Sequence, residues 1–197
     1  MITTIFFDLG NVIIPFDNAR LADALFAAAL KNADVQGCWR HLLREHETGR
    51  LSEASFYEKY CSATASALSI EEFRRIATCH FAEKCAFDVS FLRRLRRRYS
   101  VFALSNTNDI HMRFVLDKFP VMREFDDYIR SDKVGALKPA VKIFNAALKR
   151  ARAKPSECVF IDDIKRHVAA AEGVGMHGIW FRSEPQARAA LRNLGVR

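Results

Sequence analysis

The stretch Ile5-Phe6-Phe7-Asp8-Leu9-Gly10-Asn11 joins a short apolar run to an acidic residue and a turn-forming sequence. The aromatic and β-branched residues of positions 2–7 predict a buried β-strand, since strands covered on both faces are continuous apolar runs. Asp8 then lies at the carboxyl end of that strand. Ligands bind at this end of the strands in open parallel sheets. The stretch therefore predicts a parallel sheet with a functional carboxylate at its edge.

Three further apolar runs have the same character, and helical patterns separate them. This alternation predicts an α/β fold built on a Rossmann-like, doubly wound parallel sheet. The predicted strands are residues 101–104, 159–161 and 178–181, with 128–129 as a weaker fifth candidate. The predicted helices between them are residues 90–98, 140–152 and 167–174.

Residues 15–87 have a different pattern, without convincing strands. Apolar residues recur at helical spacing in segments 20–30, 39–46, 52–63 and 70–81. Ser52 and Ser69 are typical helix starts, and Glu71 and Glu72 follow Ser69 closely. We therefore predict an all-helical cap domain, residues 15–87, inserted into a core domain formed by residues 1–14 and 88–197.

Composition narrows the class of protein. The five cysteines are scattered without a Cys-x-x-Cys pair, a usage typical of reduced thiols in the cytoplasm. The net charge is +8, but the five arginines between positions 93 and 98 alternate with apolar residues, which predicts a solvated helix face. No apolar run reaches the roughly 18 residues of a membrane span. We expect a cytoplasmic protein without a nucleic-acid or membrane partner, and nothing in the sequence sets the oligomeric state.

Polar residues stand where the predicted strands end. Carboxylates crowded at one sheet edge repel one another and raise their own pKa values, a conflict that a divalent cation and a lysine relieve. Hard oxygen ligands suit Mg²⁺, and hydroxyl and main-chain amide groups can bind phosphate oxygens. The pattern predicts a phosphoryl-transfer site with Mg²⁺ as cofactor and a small phosphorylated molecule as substrate. The residues that carry this prediction are Asp8, Ser105, Asn106, Lys138, Asp162 and Asp163.

The order Asp8, Ser105, Lys138, Asp162-Asp163 resembles the four motifs of the haloacid dehalogenase superfamily, over essentially the whole chain. The helical insert lies where the first type of cap domain lies in that family. Residues 7–12 are similar to bacterial sugar-phosphate phosphatases of the glucose-1-phosphate type, and residues 160–163 to the phosphatase domain of soluble epoxide hydrolases. The resemblance implies a Mg²⁺-dependent phosphatase of small phosphorylated metabolites, with sugar phosphates among the candidates.

The resemblance also implies a role for each matching residue. Asp8 attacks phosphorus and becomes an aspartyl phosphate, Ser105 and the main-chain amide of Asn106 hold the phosphoryl oxygens, and Lys138 neutralises developing charge. The implied metal ligands are Asp8, the main-chain carbonyl of Gly10 and Asp163, with Asp162 binding the metal directly or through water.

Gly10 departs from the family pattern, because most phosphatases of the superfamily have there an aspartate that protonates the leaving group. General acid–base catalysis contributes about 10²–10⁴-fold in rate. Asp17 is either a substitute acid or the N-cap of the first cap helix. His167 is either hydrogen-bonded to a metal-binding carboxylate or an exposed helix residue.

Two other functions stay open at the level of sequence. Haloacid dehalogenases that attack carbon also lack the second aspartate and need no metal. A non-catalytic protein that keeps a phosphate pocket is the other alternative, and Gly10 is its main support.

Overall fold

A computed structural model describes residues 1–28 and 34–197 of the chain. In these residues the core is a five-stranded, fully parallel sheet with the strand order β3-β2-β1-β4-β5. The strands are β1 (Thr4–Phe7), β2 (Ser100–Ser105), β3 (Asp127–Arg130), β4 (Cys158–Asp162) and β5 (His177–Trp180). The predicted α/β parallel-sheet fold is confirmed, including the weaker candidate strand at residues 128–129.

Helices cover the sheet and fill the segment after the first strand. They are α1 (Asn18–Ala28), α2 (Val35–Glu47), α3 (Glu53–Thr64), α4 (Ile70–Thr78), α5 (Val89–Arg96), α6 (Asp109–Lys118), α7 (Ser131–Val134), α8 (Val141–Ala151), α9 (Lys165–Gly173) and α10 (Glu184–Asn193). Side-chain caps begin several of them, and Ser69 forms a complete capping box with Glu72 at the start of α4.

The sheet register brings the predicted site residues together. Phe7 of β1 lies opposite Ala103 of β2 and Ile161 of β4. The next residues along the three chains therefore emerge at the same carboxyl edge, with β1 in the middle. The side chains of β1 point alternately to the two faces of the sheet. Ile5 and Phe7 pack into the apolar cluster on one face, and Phe6 packs into the cluster on the other.

The segment between β1 and α5 has an apolar core of its own. Trp39, Phe56, Tyr60 and Phe73 pack there with ring centroids 4.9 to 5.8 Å apart. Because this cluster draws almost entirely on α1–α4, we propose the division into a core of residues 1–14 and 88–197 and a helical cap of residues 15–87.

One predicted helix is too long. Residues 70–81 were expected to be helical, but α4 ends at Thr78 and Phe81 forms an isolated antiparallel bridge with Phe16. The main chain bonds that replace the helical ones are Asp17 N to His80 O, 2.8 Å, and Ala82 N to Pro15 O, 2.8 Å. The two connections between cap and core therefore run side by side. The predicted helix at residues 20–30 is confirmed as far as Ala28, and its end lies outside the described residues.

The arginine-rich helix is amphipathic, as predicted. In α5, Phe91, Leu92 and Leu95 are buried while the arginines between them are exposed. Arg93 pairs with Glu124, and Arg96 pairs with Asp126. No helix in the described residues has the length and apolar character needed to cross a membrane.

Candidate active site

Asp8 follows the central strand and is nearly buried, with 7% of its surface exposed. Its main-chain N–H donates to the carbonyl of Ile161, 2.9 Å, which extends the β1–β4 pairing by one residue. The main-chain N–H of Leu9 donates to Asp8 Oδ1 at 2.7 Å. The strand end thus fixes both the main chain and the carboxylate of Asp8.

Lys138 is buried rather than exposed at the surface, and its ammonium group joins two of the carboxylates. Lys138 Nζ lies 2.8 Å from Asp8 Oδ1 and 2.7 Å from Asp162 Oδ2. The ring of Phe160 is a third neighbour, with its centroid 5.3 Å from Nζ. The position of the lysine main chain is set by Asn106, whose Oδ1 accepts from Lys138 N (2.7 Å) and whose Nδ2 donates to Lys138 O (3.2 Å).

Asp162, the last residue of β4, is fully buried and well supplied with partners. Besides Lys138, its oxygens accept from Ile164 N at 2.8 Å and lie 3.1 and 3.2 Å from His167 Nδ1. His167 is therefore buried against this carboxylate, and the alternative of an exposed helix residue is wrong. Groups just before and within α9 thus hold the side chain of Asp162 in place.

The electrostatics separate the three carboxylates. Burial, together with Asp162 and Asp163, raises the pKa of Asp8 to about 6 against the opposing effect of Lys138. Burial also disfavours charge on Asp162, but His167 and Lys138 outweigh it and lower the pKa of Asp162 to about 2. Burial and the charge of Asp162 raise the pKa of Asp163. Asp8 and Asp163 are consequently the two carboxylates that are short of positive charge.

A divalent cation fits this shortage. Asp8, Asp162 and Asp163 each offer an oxygen, and the three oxygens lie within 4.8 Å of one another. Three ionised carboxylates and one lysine leave two negative charges uncompensated. Carboxylate oxygens of this kind are the ligands that Mg²⁺ prefers, so the donor set agrees with the predicted cofactor.

Ser105 ends β2 at the same edge and is nearly buried. The following turn is held to the neighbouring loop by Ser131, whose Oγ accepts from Thr107 N at 2.9 Å and donates to Thr107 O at 3.1 Å. The structure thus brings Ser105 and Asn106 to the carboxylate cluster, where the sequence placed them.

A cavity of about 160 Å³ opens beside the cluster, between the sheet edge and the helical cap. The core contributes Leu9, Gly10, Ser105, Asn106, Thr107 and His111, and the remaining lining residues are Phe16, Asn18, Leu21, Trp39, Leu43, Glu47, His80 and Phe81. It therefore has a polar floor at the strand ends and a mainly apolar roof.

Two histidines of this cavity escaped the sequence analysis. Burial lowers the pKa of His80 to about 4, and burial together with His80 lowers the pKa of His111 to about 3. Asn108 Nδ2 lies 3.3 Å from His111 Nδ1, and the carbonyl of Ala77 lies 3.1 Å from Nε2. A neutral ring that accepts at Nδ1 and donates at Nε2 satisfies both contacts, so His111 links α6 to the end of α4.

The structure distinguishes the two interpretations of Asp17, as a substitute acid or as a helix cap. Its side chain is exposed, and Oδ1 accepts from Ala19 N at 2.8 Å at the start of α1. Asp17 is absent from the cavity lining in the described part of the chain, so capping is its role here. Glu47, in contrast, lies in the lining although the sequence pattern did not single it out.

The comparison with known families agrees with the geometry. The model of the haloacid dehalogenase-like hydrolases matches residues 2–175 of the chain. The chain belongs to this family. The matched range includes both the residues at the sheet edge and the helical cap segment. The similarity to the family therefore extends beyond the four motifs.

Relatives of this hydrolase are named as phosphatases. The chain is 29% identical to a D-ribitol-5-phosphate phosphatase of Bacteroides thetaiotaomicron, over 89% of each chain. It is 26% identical to a glyceraldehyde 3-phosphate phosphatase of Pyrococcus furiosus, over 92% of this chain and 81% of the relative. A structure of a HAD-like family hydrolase from Porphyromonas gingivalis superposes with a TM-score of 0.87 at 27% identity, over 100% of this chain and 99% of the other.

Proposed function

We propose that this hydrolase is a Mg²⁺-dependent phosphatase of small sugar or polyol phosphates that works through an aspartyl phosphate on Asp8. One observation carries the proposal: Lys138 joins Asp8 to Asp162, with Asp163 close by, and a small cavity lined by Leu9, Gly10 and Ser105 lies beside this cluster. A nucleophilic oxygen, a buried cation and hydrogen-bond donors at one place are the parts that phosphoryl transfer requires.

Each residue has a distinct task in this proposal. The carboxylate of Asp8 attacks phosphorus, Ser105 Oγ and the main-chain amide of Asn106 bind the phosphoryl oxygens, and Lys138 balances the negative charge. Asp8, Asp163 and the carbonyl of Gly10 would hold Mg²⁺, which neutralises phosphate charge when bound. We assign Asp162 mainly to positioning Lys138, because its oxygens already have several protein partners.

The substrate class follows from the cavity and the relatives. A cavity of about 160 Å³ suits a phosphate that carries a few carbon atoms. Two relatives are named for five-carbon and three-carbon phosphates. Small sugar and polyol phosphates therefore suit both the cavity and the family.

A phosphate-release panel tests the proposal. We expect Mg²⁺-dependent release from D-ribitol 5-phosphate and glyceraldehyde 3-phosphate, weaker release from AMP, and loss of activity in EDTA that added Mg²⁺ restores. Mg²⁺ binding without turnover of any phosphate would instead favour a non-catalytic phosphate-binding protein. Halide release from 2-chloropropionate in EDTA would favour a dehalogenase.

A further inference from the structure

The position at which most relatives have a proton donor is closed in this protein. A Cβ atom at Gly10 would lie 2.7 Å from Cε1 of Phe16, closer than such atoms approach. The ring of Phe16 packs against the ring of His80 with centroids 5.6 Å apart, and its main chain is bridged to Phe81. The leaving group therefore needs a proton donor from another part of the chain.

Glu47 occupies a suitable place on the opposite wall. It is the last residue of α2, and it lines the cavity that also contains Gly10, Ser105 and Asn106. Among the cavity-lining residues within 1–28 and 34–197, it is the only carboxylic acid. A substrate whose phosphate is bound at Ser105 therefore lies in the same cavity as the carboxyl group of Glu47.

The cap turn that carries Glu47 is docked onto the core. The φ angle of Gly49 is +70°, and a Cβ there would lie 2.3 Å from the carbonyl oxygen of Asp132 in α7. Only glycine allows this close approach. Thr48 Oγ1 donates to the carbonyls of Arg44 and Glu45, both at 3.0 Å, and so closes the helix end. The position of Glu47 is thus set by the packing of the two units.

Burial and the nearby carboxylates favour the protonated form of Glu47. Burial raises the pKa of Glu47 to about 7, with Asp8 and Asp132 adding to the rise and Lys138 and Arg44 opposing it. A general acid is most effective when its pKa lies near the working pH. The electrostatic environment therefore agrees with what the location of the side chain indicates.

We propose that Glu47 of the cap is the general acid–base residue of the reaction, in place of the missing donor at Gly10. The inference rests on the proposed phosphatase function. As Asp8 bonds to phosphorus, the P–O bond to the alcohol breaks, and its electron pair takes the Glu47 proton. The Glu47 carboxylate then removes a proton from water, whose oxygen attacks the aspartyl phosphate. Phosphate leaves, Asp8 is again a carboxylate, and Glu47 is again protonated.

The dependence on leaving group tests this role. Glu47→Gln should lower kcat/KM for the alkyl ester D-ribitol 5-phosphate by about 10²-fold or more, because an alkoxide needs the proton. It should lower kcat/KM for p-nitrophenyl phosphate by less than about threefold, because that phenolate departs without a proton and kcat/KM excludes the later hydrolysis of the aspartyl phosphate. Glu47→Asp should recover part of the lost rate. Glu58→Gln, on the exposed side of α3, is the matched control and should behave as wild type.

Equal losses of kcat/KM on the two esters, or no loss on the alkyl ester, would overturn the role of Glu47. Failure of the phosphatase proposal has a different signature, since wild type itself would then release no phosphate from either ester in Mg²⁺. Circular dichroism and melting of each variant show whether a loss comes from unfolding instead of from the missing proton donor.

Discussion

Replacing Asp8 by asparagine is expected to abolish phosphate release, with a loss of at least about 10⁴-fold, as for other enzymes that lose their nucleophile. The same change should raise the melting temperature of the metal-free protein. An amide cannot form the acyl phosphate, but it removes a buried negative charge from beside Asp162 and Asp163. Activity and stability therefore change in opposite directions.

The sign of the stability effect follows from the pKa of Asp8. The pKa in the folded protein is about 6, above the ordinary value of 3.8, so ionisation of Asp8 weakens folding. That cost is absent at low pH, develops as the pH rises from about 4 to 6, and is complete at neutral pH. In EDTA at pH 7.5 the gain should reach about 3 kcal/mol, and it should vanish below about pH 4.

Thermal unfolding in EDTA at several pH values, with and without Mg²⁺, measures this effect. Added Mg²⁺ should stabilise wild type more than Asp8→Asn, because the variant lacks a metal ligand. Asp117→Asn, at an exposed position of α6, is the control that changes the net charge equally. A variant that retains wild-type turnover would contradict the assignment of Asp8.

Replacing Lys138 by methionine should be the most destabilising of the site substitutions. Methionine keeps much of the side-chain length, but it leaves Asp8 and Asp162 buried without the ammonium group that now lies 2.8 and 2.7 Å from them. Removing one partner of a buried ion pair costs about 3–5 kcal/mol. Phosphate release should fall at the same time, because the charge that neutralises the nucleophile and the phosphoryl group is gone.

The pH dependence distinguishes this effect from a simple packing defect. Without Lys138 the pKa of Asp8 should rise further, so the loss of stability should be larger at pH 8 than at pH 5. Denaturant unfolding of Lys138→Met at the two pH values tests the difference. Lys149→Met, on the exposed face of α8, should change the free energy of unfolding by less than about 0.5 kcal/mol. A pH-independent loss would indicate that packing, not charge, accounts for the defect.

The sequence was sufficient to predict the sheet and its acidic edge because both depend on local patterns. Continuous apolar runs predicted the strands. In a parallel sheet the carboxyl ends of the strands lie at the same edge, and this does not depend on the conformation of the loops. Asp8, Ser105, Asp162 and Asp163 each follow or end such a run. Lys138 was predicted with them from its place just ahead of a helix, and the structure adds that Asn106 holds its main chain.

The cap side of the site could not be predicted in this way. Glu47 lies at a helix end whose approach to the core depends on Gly49 meeting Asp132, a tertiary contact without a local signal. Sequence alone also does not choose among the polar residues of the cap helices, and five of them lie outside the lining of this cavity in the described chain: Arg20, Arg40, His41, Arg44 and Glu45.

Helices α6 and α10 also escaped prediction, although caps mark both. Asn108 accepts from His111 N at the start of α6, and Ser183 accepts from Gln186 N at the start of α10. Their apolar periodicity is weak, since α10 contributes only Ala187 and Leu191 to the buried core. In these two segments the capping residues indicate a helix more clearly than the apolar periodicity does.

Covalent trapping tests the central claim most directly. Wild type and Asp8→Asn are mixed with p-nitrophenyl phosphate and Mg²⁺, stopped with acid during turnover, and the peptide that contains residue 8 is weighed by mass spectrometry. We predict that wild type carries one phosphoryl group on Asp8, that hydroxylamine removes it, and that the variant carries none. Turnover with the phosphoryl group on another residue, together with a fully active Asp8→Asn variant, would contradict the account.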